Sequence, residues 1–311
     1  MLSNFFDNPV FFRTALEELP IGIYAVDREQ RIRFWNRGAE HIIGHLAHEV
    51  VGRIYSEHAA CDQHGRILCS RDCPVGTTLR DGKPRGLSAF YLHKLGHRVS
   101  VKIRSHPLIA NGDTVEGAIV LFEEALEPQT ESAPEAGTPS PYGCLDAVTD
   151  VPSHRLTRAV LAEWIAGMEE CRHGFGILRV RVLGLDEFRS KHGPLSAIPF
   201  MQTAARTLRH SLHQENFLGR WGEDEFIAVL PSANPVATAA AAETIWNLVT
   251  NSEVRWWGDI FPVQAVVTHA VAQPGDKLEK LLNGLEPTHA AAAGRAVDAA
   301  HTHAQQAPAR G

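Results

Sequence analysis

Three consecutive carboxylates, Glu223, Asp224 and Glu225, lie between two alternating apolar runs in the C-terminal half of the sequence. The flanking runs, Phe217–Leu218 and Phe226–Leu230, are typical of the strands of a hairpin, so we expect the acids at its turn. Adjacent carboxylates repel one another unless a cation such as Mg²⁺ neutralises them. A turn whose acids are simply solvated is the alternative interpretation.

A second set of residues with metal-ligand chemistry lies in the N-terminal half. It comprises His58, Cys61, His64, Cys69, Cys73, His93 and His97. On a helix, Cys69 and Cys73 would share one face and could hold a metal, with His93 or His97 completing the ligands, or form a strained bridge after oxidation. The spacing is not that of a standard zinc finger, and a free cysteine is often just a small buried hydrophobe. A metal or redox sensor and simple packing are therefore both open.

The composition limits the class of protein that could contain these residues. A chain of 311 residues with 44% hydrophobic residues allows two domains, each with its own core. A net charge of −6 argues against a nucleic-acid surface. No apolar run approaches the roughly eighteen residues that a membrane helix needs, and the N-terminus lacks the features of a signal peptide. We therefore predict a cytoplasmic protein with no membrane partner, whose five cysteines are thiols or metal ligands.

The first half of the chain has the pattern of a small antiparallel sheet with helices. Residues 9–19 have helical spacing that Pro20 interrupts, and Asn36 is placed to cap a helix over Arg37–Ile43. Turns are expected at Leu95-Gly96 and Asn111-Gly112. The predicted strands are Ile21–Val26, Arg31–Trp35, Ser88–His93, Arg98–Ile103 and Val115–Phe122.

The opening IGIYAVDREQRIRFWNRGAEHIIGH resembles the start of a PAS sensor domain, and the resemblance extends over residues 10–124. It implies a PAS domain at 1–125 with a five-stranded antiparallel sheet and helices. PAS domains of other proteins hold haem, flavin or small molecules, and nothing in this sequence selects one of them. Residues 126–143 are rich in Pro, Glu, Ser and Thr, and their four prolines predict a flexible linker instead of a continuous helix.

The second half alternates helices and strands around the acidic hairpin, a pattern that favours an α+β fold. The predicted elements are helix Leu156–Cys171, strand Gly174–Val182, helix Ile198–His213, helix Val236–Val249, strand Ile260–Ala272 and helix Lys277–Leu285. Residues 293–311, rich in Ala, His and Gln, are predicted to be a disordered tail.

The segment Arg220–Phe226, RWGEDEF, resembles the signature motif of the GGDEF family, the diguanylate cyclases, with Glu223 in place of the second glycine. Asp146–Arg155 is similar to the family's entry motif, with Asp150 and Ser153 at the positions of its Gly and Asn. The resemblance implies a GGDEF domain of the nucleotidyl-cyclase type at 144–292. In this family two GTP-loaded subunits meet and make cyclic di-GMP with metal ions.

The resemblance assigns Asp224 and Glu225 to Mg²⁺ binding and catalysis, and Gly222, Glu223 and Arg295 to nucleotide binding. Other positions depart from the family pattern. An ungapped register places Arg181 at the family's first metal-binding aspartate. Arg189 and Ile198 stand at the two positions that read guanine in the family, an asparagine and an aspartate, and Ala291 stands at the triphosphate-binding lysine. The inhibitory product site is replaced by His213–Asn216.

These departures predict a signalling protein whose PAS input is coupled to a catalytically impaired GGDEF-type output domain that acts by protein contact. We expect a homodimer through either domain. The alternative is an active diguanylate cyclase that uses GTP and Mg²⁺ in a rebuilt site. We further predict that Arg181 takes the place of the metal by pairing with one or both of Asp224 and Glu225. Glu223 is expected to need a positive φ, because it replaces a glycine.

Overall fold

The structure is a computed structural model that describes residues 9–54, 60–68, 73–110, 114–125, 144–171, 174–231 and 234–287. The chain forms two compact units, each built around one large sheet. The helices are α1 Pro9–Glu18, α2 Arg37–Ile43, α3 Ala47–Val50, α4 Pro74–Asp81, α5 His154–Cys171, α6 Leu185–His192, α7 Ile198–Ser211, α8 Pro235–Thr250 and α9 Leu278–Asn283, with a 3₁₀ turn at Pro194–Ala197. The strands are β1 Gly22–Asp27, β2 Ile32–Trp35, β3 Ala60–Cys61, β4 Arg85–Leu92, β5 Arg98–Ile109, β6 Val115–Glu124, β7 Phe175–Val182, β8 Phe217–Arg220, β9 Glu225–Leu230, β10 Glu253–Trp256, β11 Asp259–Pro262, β12 Ala265–Ala272 and β13 Glu286–Pro287.

The N-terminal sheet is antiparallel throughout, in the order β2-β1-β6-β5-β4-β3. The five predicted strands are all present, and the two-residue strand β3 adds a sixth at one edge. Alternate residues of β5, Val99, Val101 and Ile103, are buried because successive side chains point to opposite faces of a sheet. They join the aromatic residues Tyr24, Trp35, Tyr91 and Phe122 in one core.

Asn36 ties the first helices to this sheet, and its predicted capping role is confirmed. Its side-chain oxygen accepts hydrogen bonds from the backbone N–H groups of Ala39 and Ile23, both at 2.8 Å. Its amide nitrogen donates to the carbonyls of Leu16 and Ile21, both at 2.9 Å. Since Asn36 is fully buried, these bonds replace those that water would make.

The C-terminal sheet has the order β13-β12-β7-β9-β8, with β7 antiparallel to both of its neighbours. One face of β7, through Phe175 and Ile177, packs in a core with Leu161 of α5 and with Ile227 and Val229 of β9. Helix α8 packs against β12 and β7. The hairpin β8–β9 therefore has a fixed place at the edge of a well-packed sheet.

Two elements of the second half of the chain differ from the sequence-based prediction, one predicted wrongly and one missed. The strand predicted over Ile260–Ala272 is two strands, because β11 ends at Pro262, which has no N–H for a sheet hydrogen bond, and pairs with β10. Helix α6 was not predicted, because its sequence LDEFRSKH is mostly charged and buries only Leu185, so it carries no apolar periodicity. The linker 126–143, the turn at Asn111-Gly112 and the tail 293–311 lie outside the described residues.

Candidate functional site: an acidic hairpin held by arginines

The hairpin turn between β8 and β9 is closed by backbone hydrogen bonds and by one arginine. The N–H groups of Trp221 and Gly222 both donate to the carbonyl of Glu225, at 2.8 and 3.2 Å. The Arg220 guanidinium donates to the carbonyl of Gly222 at 2.6 Å and to the carbonyl of Glu223. The turn therefore keeps its shape through the chain's own donors.

Glu225 is the buried acid of the motif, and two arginines bind its carboxylate. Only 5% of Glu225 is exposed. Arg179 donates from Nε to Oε2 at 3.0 Å and from Nη2 to Oε1 and Oε2 at 2.8 and 2.7 Å. Arg181 donates from Nε to Oε1 at 2.6 Å, and its Nη2 contacts the same oxygen. Both carboxylate oxygens are therefore occupied by guanidinium donors.

The sheet register explains why these three side chains meet. Arg181 lies directly opposite Glu225 across the β7–β9 ladder, and Arg179 lies two residues back along β7, where Ile227 is its cross-strand partner. Residues two apart on a strand point to the same face, so both arginines reach Glu225 from one side. The predicted pairing of Arg181 is confirmed. The contribution of Arg179 was missed, although the alternation Arg179-Val180-Arg181 was a signal that could have revealed it.

Asp224 completes the charge balance of this cluster. Its Oδ2 lies 3.7 Å from Arg181 Nε, its side chain is 42% exposed, and its backbone carbonyl accepts a hydrogen bond from Val182 N at 2.8 Å. Two guanidinium cations thus face two carboxylates, and their formal charges cancel. Arg181 is itself half exposed, at 51%, so water screens its pairs more than the Arg179 pair.

The residues around the hairpin do not fit the Mg²⁺ that the fold family implies. A hard divalent ion needs several oxygen lone pairs pointing at one position, and Mg²⁺ tolerates little departure from octahedral geometry. Here the oxygens of Glu225 are directed at two fixed cations, which would repel a metal ion at the same place. Among the residues that the structure describes, no three His, Cys, Asp or Glu side chains are grouped to hold a metal.

Glu223 and Arg295 are the other residues assigned to nucleotide binding, whereas Ile198 and Ala291 depart from the family pattern at its nucleotide positions. Glu223 is largely exposed, and its carboxylate lies 3.7 Å from Arg189, whose Nη1 also bonds Asp186 at 2.8 Å. The positive φ expected at Glu223 is wrong, since this residue is not among those with a positive φ. Ile198 is the first residue of α7 and half-buried. Ala291 and Arg295 lie outside the described residues.

Arg220 sits in an unusual environment for a guanidinium. Burial lowers the pKa of Arg220, and Asp146 acts in the opposite direction. The guanidinium lies 5.1 Å from the ring centre of Phe226, in cation–π contact. Within the described part of the chain its Nη1 has no hydrogen-bond partner. Arg220 therefore serves the turn, while Arg179 and Arg181 serve the carboxylates.

Among the described residues, the possible sensor residues of the N-terminal unit are not grouped around one metal position. Cys73 has extended backbone, with φ −61 and ψ 116, and precedes α4 as its N-cap, so the premise of a helical face shared with Cys69 is wrong. Cys61 is fully buried, and burial raises the pKa of its thiol. His64 is exposed, whereas His58 and Cys69 lie outside the described residues.

His93 and His97 stack on each other across the β4–β5 turn. Their ring centres are 4.3 Å apart, and His93 Nδ1 accepts a hydrogen bond from Leu95 N at 3.0 Å. Burial lowers the pKa of His93 to about 4 and that of His97 to about 2, so both rings are neutral at pH 7. Stacked planes direct ring nitrogens alongside each other, which is not the convergent arrangement that a metal needs.

A small pocket opens between the N-terminal sheet and α4. Its volume is about 50 Å³, and Tyr24, Tyr91, Gln30, Cys73 and Ile103 are among its lining residues. The hydroxyls of Tyr24 and Tyr91 lie 3.4 Å apart there. An engineered cavity of about 150 Å³ holds one benzene molecule, which is far smaller than haem or flavin. The pocket in this conformation is therefore too small for haem or flavin.

Comparison with known proteins identifies both halves of the chain. The family model of the PAS fold matches residues 11–125, and the model described as "Diguanylate cyclase, GGDEF domain" matches residues 144–291. The chain is therefore a PAS–GGDEF protein, with the mixed helix and sheet architecture of those two domains. No curated protein sequence matches it. None of the helices that the structure describes is long and apolar enough to cross a membrane.

Solved structures are similar to each half. The diguanylate cyclase SiaD of Pseudomonas aeruginosa, in complex with its activator SiaC, is 21% identical over 45% of this chain and 54% of its own, with a TM-score of 0.43. This chain thus spans about half the length of SiaD. The GGDEF domain of DgcB from Caulobacter crescentus, in complex with c-di-GMP, is 15% identical over 45% of this chain and 84% of its own, with a TM-score of 0.43. A PAS domain from Colwellia psychrerythraea is 18% identical over 36% of this chain and 91% of its own, with a TM-score of 0.32.

Proposed function

We propose that this PAS–GGDEF signalling protein has an output domain that does not make cyclic di-GMP and that acts through protein contact. The observation that carries the proposal is the double arginine pairing of Glu225, the buried acid of the motif. A carboxylate with both oxygens engaged cannot also hold the metal that would activate the ribose hydroxyl and neutralise the phosphates. The proposal includes a homodimer as the signalling form.

The departures at neighbouring positions support the same function. Ile198 offers no hydrogen bond to a purine edge, which would leave polar atoms of guanine unpaired and weaken selection for GTP. Arg181 adds a positive charge where the family has a metal ligand. The alternative, a diguanylate cyclase with a rebuilt site, is favoured by the intact hairpin and by Asp224, whose carboxylate is 42% exposed.

The test is incubation of the purified full-length chain with GTP and Mg²⁺ or Mn²⁺, followed by chromatographic analysis of the nucleotides. We expect GTP to be recovered unchanged, with no cyclic dinucleotide. Steady formation of cyclic di-GMP that disappears in the Glu225→Ala variant would contradict the proposal and establish the alternative. The Glu187→Ala variant, which removes the same type of side chain from an exposed pair with Lys191 in the same domain, is the matched control.

A further inference from the structure

The residues of this hairpin do not fit the metal ion that its family binds, and two arginines lie where that ion would be expected. Arg179 and Arg181 present their guanidinium groups to Glu225, the buried acid of the motif, and they do so from adjacent same-face positions of a central strand. A cation tethered to the chain has a very high effective concentration at its partner, so it competes strongly with a free ion.

We infer that Arg179 and Arg181 are built-in cations that replace the divalent metal at Glu225 and hold a latent carboxylate site closed. Arg179 is the principal cation, because its fork binds both oxygens and it is only 28% exposed. Arg181 bonds one oxygen and extends to Asp224. The hairpin is therefore folded in its final form without metal or nucleotide.

This arrangement limits what a single substitution can do. Replacing Arg181 by aspartate would add a carboxylate opposite Glu225, which by itself favours a divalent ion. Arg179 would still occupy both oxygens of Glu225, so the metal would meet a fixed positive charge about one hydrogen-bond length from its ligand. A divalent site requires that both arginines be removed.

The experiment is thermal unfolding of the full-length chain in EDTA and in millimolar Mg²⁺. Wild type is expected to show the same melting temperature in both. The Arg179→Gln/Arg181→Asp variant is expected to melt lower than wild type in EDTA and to rise with Mg²⁺ in a saturable way, because ligand that binds only the folded state stabilises it. Arg66→Gln/Arg33→Gln, which removes two arginines from ion pairs of the N-terminal unit without adding a carboxylate, should show no Mg²⁺ response.

Two results would overturn the inference. One is a Mg²⁺-dependent rise in wild type that Glu225→Gln abolishes, since the carboxylate would then be free for metal. The other is a folded double variant that does not respond to Mg²⁺. If the double variant does not fold, the pairing is tested by a double-mutant cycle. The melting temperatures of Arg179→Gln, Glu225→Gln and the combined variant are then compared. We expect each single change to lower the melting temperature by several degrees and the combination to recover most of that loss, whereas additive losses would refute the pairing.

The inference deepens the proposed function, since it concerns the same site, but the two can fail separately. Cyclic di-GMP in the GTP assay contradicts the proposed function. A wild-type response to Mg²⁺ without nucleotide turnover contradicts only the replacement of the metal by arginine, and leaves a non-cyclising output domain in place.

Discussion

At the residue scale, the two arginines on Glu225 differ in burial, and stability should report that difference. Arg179 is 28% exposed and binds both oxygens of a carboxylate that is 5% exposed, whereas Arg181 is 51% exposed. Removing one partner of a buried ion pair typically costs 3–5 kcal/mol, because the other charge is left without compensation, while exposed pairs are worth less than about 1 kcal/mol.

We therefore predict that Arg179→Ala destabilises the C-terminal unit by roughly 3 kcal/mol and that Arg181→Ala costs only about 1 kcal/mol, since Arg179 still neutralises Glu225. Urea denaturation followed by tryptophan fluorescence, which Trp164 of this unit would report, measures both. Arg189→Ala, which removes pairs with two highly exposed acids, is the control and should cost little. An Arg181→Ala loss larger than that of Arg179→Ala would contradict the assignment of the principal cation.

A second prediction at this scale concerns acid. Burial lowers the pKa values of His93 and His97 below that of an unfolded histidine. The unfolded chain then binds more protons than the folded one, so stability falls as the pH drops from about 6.5 towards 4. Melting temperatures over this range should fall less steeply in His97→Phe than in wild type. Equal slopes for the two proteins would show that these rings do not set the acid sensitivity.

Some of the site residues could be predicted from the sequence, and others could not. The role of Arg181 was predictable because an ungapped register placed it where the family has a metal-binding aspartate. A side chain at that position is expected to face the acids of the hairpin. Arg179 occupies no motif position, so the only signal for its role was that it lies two residues before Arg181 on the same predicted strand. Cys69 and Cys73 are spaced like residues on one face of a helix. However, α4 begins at Pro74, so Cys73 precedes the helix instead of lying within it.

At the element scale, local signals decided which predictions succeeded. The helix cap at Asn36, the helix end before Pro20 and the strand β5 are each determined by nearby residues. The structure contains all three of these predicted features. The boundary between β11 and β12 depends on which strand each segment pairs with, which is tertiary information. Helix α6 buries too little apolar surface to have left a periodic signal.

Asn36→Ala is predicted to destabilise the N-terminal unit by about 3 kcal/mol, the sum of a lost helix cap and a buried Ile23 N–H left without its acceptor. Asn36→Asp keeps the acceptor oxygen but places a second acceptor against the carbonyls of Leu16 and Ile21, so a loss larger than that of Asn36→Ala is expected if those contacts matter. Chemical denaturation of both variants is the measurement. A loss near zero in Asn36→Ala would mean that the cap does not organise this end of the sheet.

The β10–β11 turn gives a prediction in the stabilising direction. Trp257 has φ +53 and is 91% exposed, and Gly258 follows with φ +96. Asn-Gly is the preferred pair for a turn with two positive φ values, and a bulky side chain is disfavoured there. Trp257→Asn is therefore expected to raise the free energy of unfolding by a few tenths of a kcal/mol up to about 1 kcal/mol. A loss of stability instead would mean that Trp257 makes contacts that offset its backbone strain.

For the whole molecule, the RWGEDEF motif predicts the family, whereas the side chains that contact Glu225 predict whether the domain is active. The PAS and GGDEF domains are identified by pattern and by family match alike. The functional assignment depends instead on which cation neutralises Glu225, because the same fold can serve as a cyclase or as a binding module.

Neutralisation of Glu225 by arginine can be tested by a Mn²⁺ titration of the whole chain, with free Mn²⁺ followed by electron paramagnetic resonance. Mn²⁺ stands in for Mg²⁺ because both prefer carboxylate oxygen ligands. With Glu225 neutralised by Arg179 and Arg181, wild type and Glu225→Gln are predicted to leave the same free Mn²⁺ at every addition. Stoichiometric binding by wild type that Glu225→Gln removes would contradict the account.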